Sequence, residues 1–457
     1  MSVSCEPNPA AAGPAVRGER RPGFPLRRDF VLLLVVTFAG FVNYAVLLTV
    51  VPMWAVAGGA GAAGAGATTG VFMGVTVATQ LGVPWLLRRI GYRWVLVGGT
   101  VALGVPAITY AASPALPALI AVSAVRGVGF GLVTVAGAGM VGHLLPRWAH
   151  GRGAGFYGLA IGTPNLIALP LGVWAATAIG YVPLFVVLTI VPALGALAGL
   201  AITGRAASPP ATGRRPAGDD PPPARTGAAT DAPPPRVRAD TPDAPAEPVD
   251  AASVRGDGRA GTRAARRAAA LRPLAAPWLL LWTAAIIAGA LLTFLPIAVP
   301  GAAAGRVPLA LLAFSGGVMV SRWGAGVLGD RRGTGRTLPY AVLSAVLGAA
   351  GLVAAAVTAG GTATTVAMIA GALAVGLGFG AIQNDTLLIM FASGSGYGPA
   401  SAVWNTAFDA GTGAAAIGVG VLTQHLGYPA GFAATGAAAL ACLPLALRHR
   451  GTKSDRV

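Results

Sequence analysis

Apolar positions along this chain gather into long uninterrupted runs. Twelve can be traced, at about 30–53, 67–87, 94–112, 115–144, 153–178 and 182–203, then 275–299, 307–329, 337–357, 363–391, 398–424 and 429–447. A helix needs about 20 apolar residues to cross the hydrocarbon core of a bilayer, and nearly every run meets that length. Internal Gly, Ala and Pro are compatible with membrane helices and favour close packing. The pattern predicts an all-α membrane protein with twelve transmembrane helices in two six-helix bundles, 30–204 and 275–447. Tails at 1–29 and 448–457 flank them.

The polar positions sharpen this picture. Residues 205–274 carry Pro221-Pro222-Pro223 and Pro233-Pro234-Pro235, mixed charges and few large apolar side chains, the composition of a disordered linker. With an inside N-terminus, the short cytoplasmic segments hold 17 Lys or Arg, whereas the external loops hold Arg306 alone. The positive-inside rule then predicts that both termini and the linker are cytoplasmic.

Composition excludes a soluble fold. The 457 residues are 55% hydrophobic and 10% charged, with mean hydropathy +0.70, against about 25% charged in soluble domains. The net charge of +17 sits in tails and connections, as expected of membrane topology and not of a nucleic-acid-binding face. Cys5 and Cys442 fall in different environments and suggest neither a disulfide nor a metal site. Residues 1–29 have no apolar core of a cleavable signal peptide.

The two halves share landmarks in order. Gly127-Val128-Gly129-Phe130-Gly131 matches Gly376-Leu377-Gly378-Phe379-Gly380, Gly180-Tyr181 matches Gly427-Tyr428, and Arg89 and Gly91 match Arg331 and Gly333, all at nearly one offset. The expectation is a duplicated bundle with a cavity between the halves near mid-membrane.

One motif names a family. Gly326-Val327-Leu328-Gly329-Asp330-Arg331-Arg332-Gly333-Thr334-Gly335-Arg336, between the eighth and ninth runs, resembles the loop signature of the major facilitator superfamily. The resemblance implies a conformational latch built on Gly326, Asp330, Arg331, Gly333 and Arg336. Gly326 would let two helices approach, Asp330 would accept hydrogen bonds at a helix N-terminus, and the arginines would pair with it or with lipid phosphates. The first-half copy, Pro84 to Arg93, departs from the pattern, with Arg88 in place of the acid and Pro84 in place of the first glycine. Gly127 to Gly131, Pro146-Arg147, Gly151 to Gly158, a looser Gly162, Pro164, Pro170 and Gly172 series, and Asn405-Thr406-Ala407-Phe408-Asp409-Ala410-Gly411 resemble the drug and sugar efflux branch of that family.

Four charges fall inside predicted helices: Arg126, Arg322, Asp385 and Asp409. A charge at bilayer depth costs roughly 2.5–3.5 kcal/mol, so two cations and two anions invite pairing. Asp409, with Asn405 one turn away, is the first choice for a proton-coupling group, and Asp385 the second; a static pair of Asp409 with Arg322 is the competing reading. Arg322 is a counter-charge for either acid or an anchor for an anionic substrate. Asp385 lines an inner vestibule or ties its helix to the motif loop. Arg126 is an intramembrane counter-charge; the family's usual fourth-helix Arg stands three residues earlier, at Ser123 here. Asn43, Tyr44, Gln80, Asn165, Gln383, Asn384, Trp404 and Asn405 are candidates for a substrate cavity, against the alternative that they pack between helices.

These features imply a proton-coupled secondary transporter in the cell membrane, exporting a small organic molecule by alternating access. An importer or facilitator of a sugar or metabolite is the alternative, and a non-transporting receptor or scaffold a remoter one. No catalytic triad, metal-ligand spacing or phosphate-cradling lysine loop appears, so no enzyme, cofactor or metal is expected. The expected partners are a small-molecule substrate, protons and the bilayer, with no nucleic acid, and the chain is expected to be monomeric.

Overall fold

The computed structural model describes residues 27–146, 149–203, 257–299, 301–358, 360–393 and 397–449, all of it helical or in short connections. The helices are α1 (Arg28–Ala57), α2 (Ala62–Gly104), α3 (Leu116–Leu144), α4 (His150–Ala178), α5 (Tyr181–Leu200), α6 (Asp257–Ala298), α7 (Val307–Arg332), α8 (Leu338–Val357), α9 (Gly361–Ala392), α10 (Tyr397–Ala414), α11 (Gly420–Ala441) and a short α12 (Leu443–Arg448). A π-helical turn, Ala415–Val419, joins α10 to α11.

Ten helical stretches are long and apolar enough to span a membrane, and two of them, Ala62–Ala111 and Ala400–Arg448, are 50 and 49 residues long. Both of these reverse direction internally. Gly91 in α2 (φ 80°, ψ 164°) and Gly427 in α11 (φ 81°, ψ 168°) leave helical geometry. Phe72 and Leu103 lie 31 residues apart, about 46 Å along a straight helix, yet their backbones sit against Gly127 and Gly129 of α3. Likewise Gly431 lies against Val419 and Thr423, across the break at Gly427.

The duplication reaches the backbone. Gly91 and Gly333 share a conformation, as do Gly180 (φ 89°, ψ 169°) and Gly427; φ > 0 with ψ near 160° is a region that essentially only glycine occupies. The two Gly-x-Gly-x-Gly stretches work alike. Cβ atoms at Gly127 and Gly131 would meet Phe72 O and Thr76 O on the first limb of α2, and one at Gly129 would meet Leu103 N on its second limb. Cβ atoms at Gly376 and Gly380 would meet Phe314 O and Val318 O on α7, and one at Gly378 would meet Ala341 O on α8. Alternate glycines thus seat one helix between two neighbours, where backbone contact replaces side-chain packing.

The expected linker needs a correction at its C-terminal side. Helix α6 begins at Asp257, inside the segment 205–274, because Ala264-Ala265-Arg266-Arg267-Ala268-Ala269-Ala270 is made of strong helix formers. Residues 204–256, tail residues 1–26 with Cys5, and 450–457 lie outside the described residues.

Candidate functional site

The two halves meet along α2 and the α10–α11 segment. From the end where α1 turns into α2, Gln424 Oε1 accepts from Ala63 N at 3.4 Å. Next, Cβ atoms at Gly66 and Gly70 would fall 1.9 Å from Ala416 O and 2.3 Å from the Ile417 side chain. The seam ends, deeper in, on a polar pair: Gln80 Nε2 donates to Asp409 Oδ2 at 2.8 Å and lies 3.3 Å from Thr134 Oγ1. Asp409 is 3% exposed, and α4 joins α7 where Ser315 Oγ donates to Asn165 O at 3.0 Å. Past Gln80, α2 exposes Leu81 and Trp85, and Trp404 Nε1 turns into its own half, donating to Gln383 O at 3.2 Å. Interlocking therefore concentrates at the α1–α2 end.

The four intramembrane charges do not pair as anticipated. The hydrogen-bond partner of Asp409 is a neutral amide, reachable because glycines bring α2 and α10 together. Arg322 is exposed, with Nη1 3.5 Å from Gln383 Oε1, and faces neither acid.

Asp385 does tie its helix to the motif loop. It is buried and accepts a short hydrogen bond from Thr337 Oγ1, with the backbone amides of Gly335 and Thr337 also facing it. Thr337 is the N-cap of α8, so this carboxylate holds the position the sequence suggests for Asp330. Asp330, Arg331 and Arg336 are exposed, and no ion pair joins Asp330 to these arginines among the described residues. Gly326 is also corrected: a Cβ there would lie 3.7 Å from Asn384 Oδ1, an ordinary contact, so close helix approach does not require this glycine. Gly333 does need its freedom, ending α7 at φ 90° while its N–H bonds Gly329 O at 2.9 Å.

Arg126 anchors a buried polar cluster in the first half. It is 3% exposed, and its guanidinium donates to Leu103 O (3.2 Å), Tyr110 OH (3.3 Å) and Asn43 Oδ1 (3.0 Å), with the ring centroids of Phe72 and Tyr110 5.2 and 5.6 Å away. Asn43 Nδ2 donates to Leu188 O at 2.6 Å, and Tyr110 OH lies 2.9 Å from Ser123 Oγ. Asn43 thus joins α1, α3 and α5. Asn165 binds its own helix at Ile161 O, 2.8 Å away. Asn405 is half-buried and makes no side-chain hydrogen bond among the described residues. Tyr44, a cavity candidate beside Asn43, stacks on Phe130 with ring centroids 4.2 Å apart. Thr69 carries no sequence signal, because nothing in a Thr of an apolar run marks which neighbours it will face.

Comparison with known proteins agrees with this architecture. The profile of the Major Facilitator Superfamily matches residues 33–398. No curated protein sequence matches the chain. Among solved structures, the bacterial homolog of the human lysosomal transporter Spinster, inward-facing and unoccupied, aligns with TM-score 0.65 and 13% identity over 94% of this chain and 100% of its own. The peptide transporter POT in complex with sulfate aligns with TM-score 0.64 and 16% identity over 93% and 95%. The nucleoside transporter NupG aligns with TM-score 0.62 and 12% identity over 93% and 100%. At these identities the likeness is one of fold. The profile spans most of the chain, and the protein is a multi-pass membrane protein belonging to the Major Facilitator Superfamily, a family of transporters.

Proposed function

We propose that this protein is a proton-coupled secondary transporter that exports a small organic molecule across the cell membrane by alternating access, with Asp409 as the proton-coupling group. The observation that carries the reading is the Gln80–Asp409 hydrogen bond across the two halves. A buried carboxylate without a cationic partner is costly, and a proton is the counter-ion at hand. Rocking the halves apart breaks the bond to Gln80 and wets Asp409; closing them restores it. Proton loading and conformation are thereby linked at one atom pair.

The reversals at Gly91 and Gly427 divide the two double-length elements, giving twelve crossings. Cytoplasmic termini place the interlocked α1–α2 end outside and the other end toward the cytoplasm. Export follows the efflux-branch resemblance of residues 127–158 and 405–411, and the apolar walls favour an amphipathic substrate. Each chain carries both halves of the pathway, which suits a monomer.

The test is everted vesicles with an imposed pH gradient, challenged with cationic dyes, antibiotics, organic acids and sugars. A compound that dissipates the gradient with wild type and not with Asp409→Asn supports the reading. A compound carried equally by both assigns Asp409 a structural role.

A further inference from the structure

The N-terminal half contains a cleft with a one-sided chemistry. Its walls include Tyr44, Thr68, Thr69, Phe72, Ser123 and Arg126, and in this conformation the space between them is about that of one water molecule. Arg126 carries a guanidinium group with five donors and no acceptor, and every acceptor it binds is neutral. Those three contacts use one N–H on each nitrogen. A guanidinium has five N–H groups, so one on each Nη remains. Tyr44 and Thr69, both 4% exposed, line the same cleft and make no side-chain hydrogen bond among the described residues. Ser123 and Tyr110 share one hydrogen bond between two hydroxyls, so one O–H there is also free to turn. The cleft wall is thus rich in donors and carries no carboxylate of its own, while Asp409 lies near enough to Tyr44 for its charge to be felt there. A buried cation without a compensating charge costs several kcal/mol, and an arriving anion relieves that cost while meeting the unused donors.

We infer that Arg126, Thr69 and Tyr44 form a binding site for the anionic end of the transported molecule, a carboxylate on an amphipathic body. The aromatic rings stacked beside it, Tyr44 on Phe130 at 4.2 Å with Phe72 at 6.0 Å from Tyr44, offer an apolar surface to the remainder. In the conformation described here the cleft is closed to a carboxylate, and the anionic end as well as the body needs it opened. The body of the substrate enters when the Gly66 and Gly70 contacts open. This inference rests on the transporter reading and not on export or on proton coupling.

The test uses purified full-length protein in detergent, with no gradient. Octanoate and 4-phenylbutyrate are compared with their methyl esters by thermal stabilisation and tryptophan fluorescence. Wild type should bind each acid at least tenfold more tightly than its ester. Arg126→Gln should abolish that preference, and Thr69→Val should weaken acid binding about threefold with the unliganded melting temperature unchanged. Thr69→Val keeps the test decisive if Arg126→Gln fails to fold. The inference is overturned if acids bind no better than esters, if neither binds, if the preference survives Arg126→Gln, or if Thr69→Val leaves acid affinity unaltered. Failure of proton-driven export in vesicles leaves this binding result untouched, so the two readings fall separately.

Discussion

Gln80 on α2 and Asp409 on α10, 329 residues apart, share a 2.8 Å hydrogen bond across the two halves. Asp409→Asn keeps the shape and an amide oxygen for Gln80 but cannot exchange a proton. It is expected to fold with a melting temperature within a few degrees of wild type and to lose gradient-driven transport. Gln80→Leu leaves the carboxylate buried without that donor, at a cost of about 1–3 kcal/mol. Melting curves beside vesicle transport separate the two effects, because only Gln80→Leu should lower both.

The seam at Gly66 tests alternation. A Cβ there would overlap Ala416 O at 1.9 Å, so Gly66→Val should hold the α1–α2 end apart. A cysteine placed at Thr69 in a background with Cys5 and Cys442 replaced should then react with an impermeant thiol reagent several-fold faster than in the Gly66 parent. Equal rates would show that this contact does not govern closure.

Asp385 and Asp330 should behave oppositely to what the motif suggests. Asp385→Ala removes the acceptor at the α8 N-cap and should cost about 1–2 kcal/mol. Exposed Asp330→Ala should stay within about 0.5 kcal/mol. Thermal unfolding in one detergent measures both.

Gly91 and Gly427 share a backbone conformation closed to other residues. A Cβ at Gly91 meets nothing within 4 Å, and one at Gly427 meets only Pro429 Cδ at 3.6 Å. Gly→Ala at either therefore isolates the conformational term, about 1–3 kcal/mol, and the two losses should be alike. Unequal losses would show that backbone conformation alone does not set the cost at these two reversals.

Asn43 bridges Arg126 to Leu188 O with both ends of its amide. Asn43→Ala strands a charged donor and a carbonyl and should cost about 2–4 kcal/mol, read as a lower melting temperature of the protein without ligand.

The sequence alone determined the membrane class, the two-half organisation and the family. Length and continuity of apolar runs decide whether a segment prefers lipid, and that preference is local. The paired glycines at 91 and 333, and at 180 and 427, were readable because backbone conformation at such a turn is also local. Partner choice was not. Asp409 finding Gln80, Asp385 taking the place suggested for Asp330, and Gly326 proving dispensable for close packing all follow from which helix faces meet. That depends on contacts between residues hundreds of positions apart. In lipid, where apolar faces are nearly interchangeable, small residues and a few hydrogen bonds settle those contacts. Their geometry exists only once the helices have assembled, so only the tertiary structure could decide it.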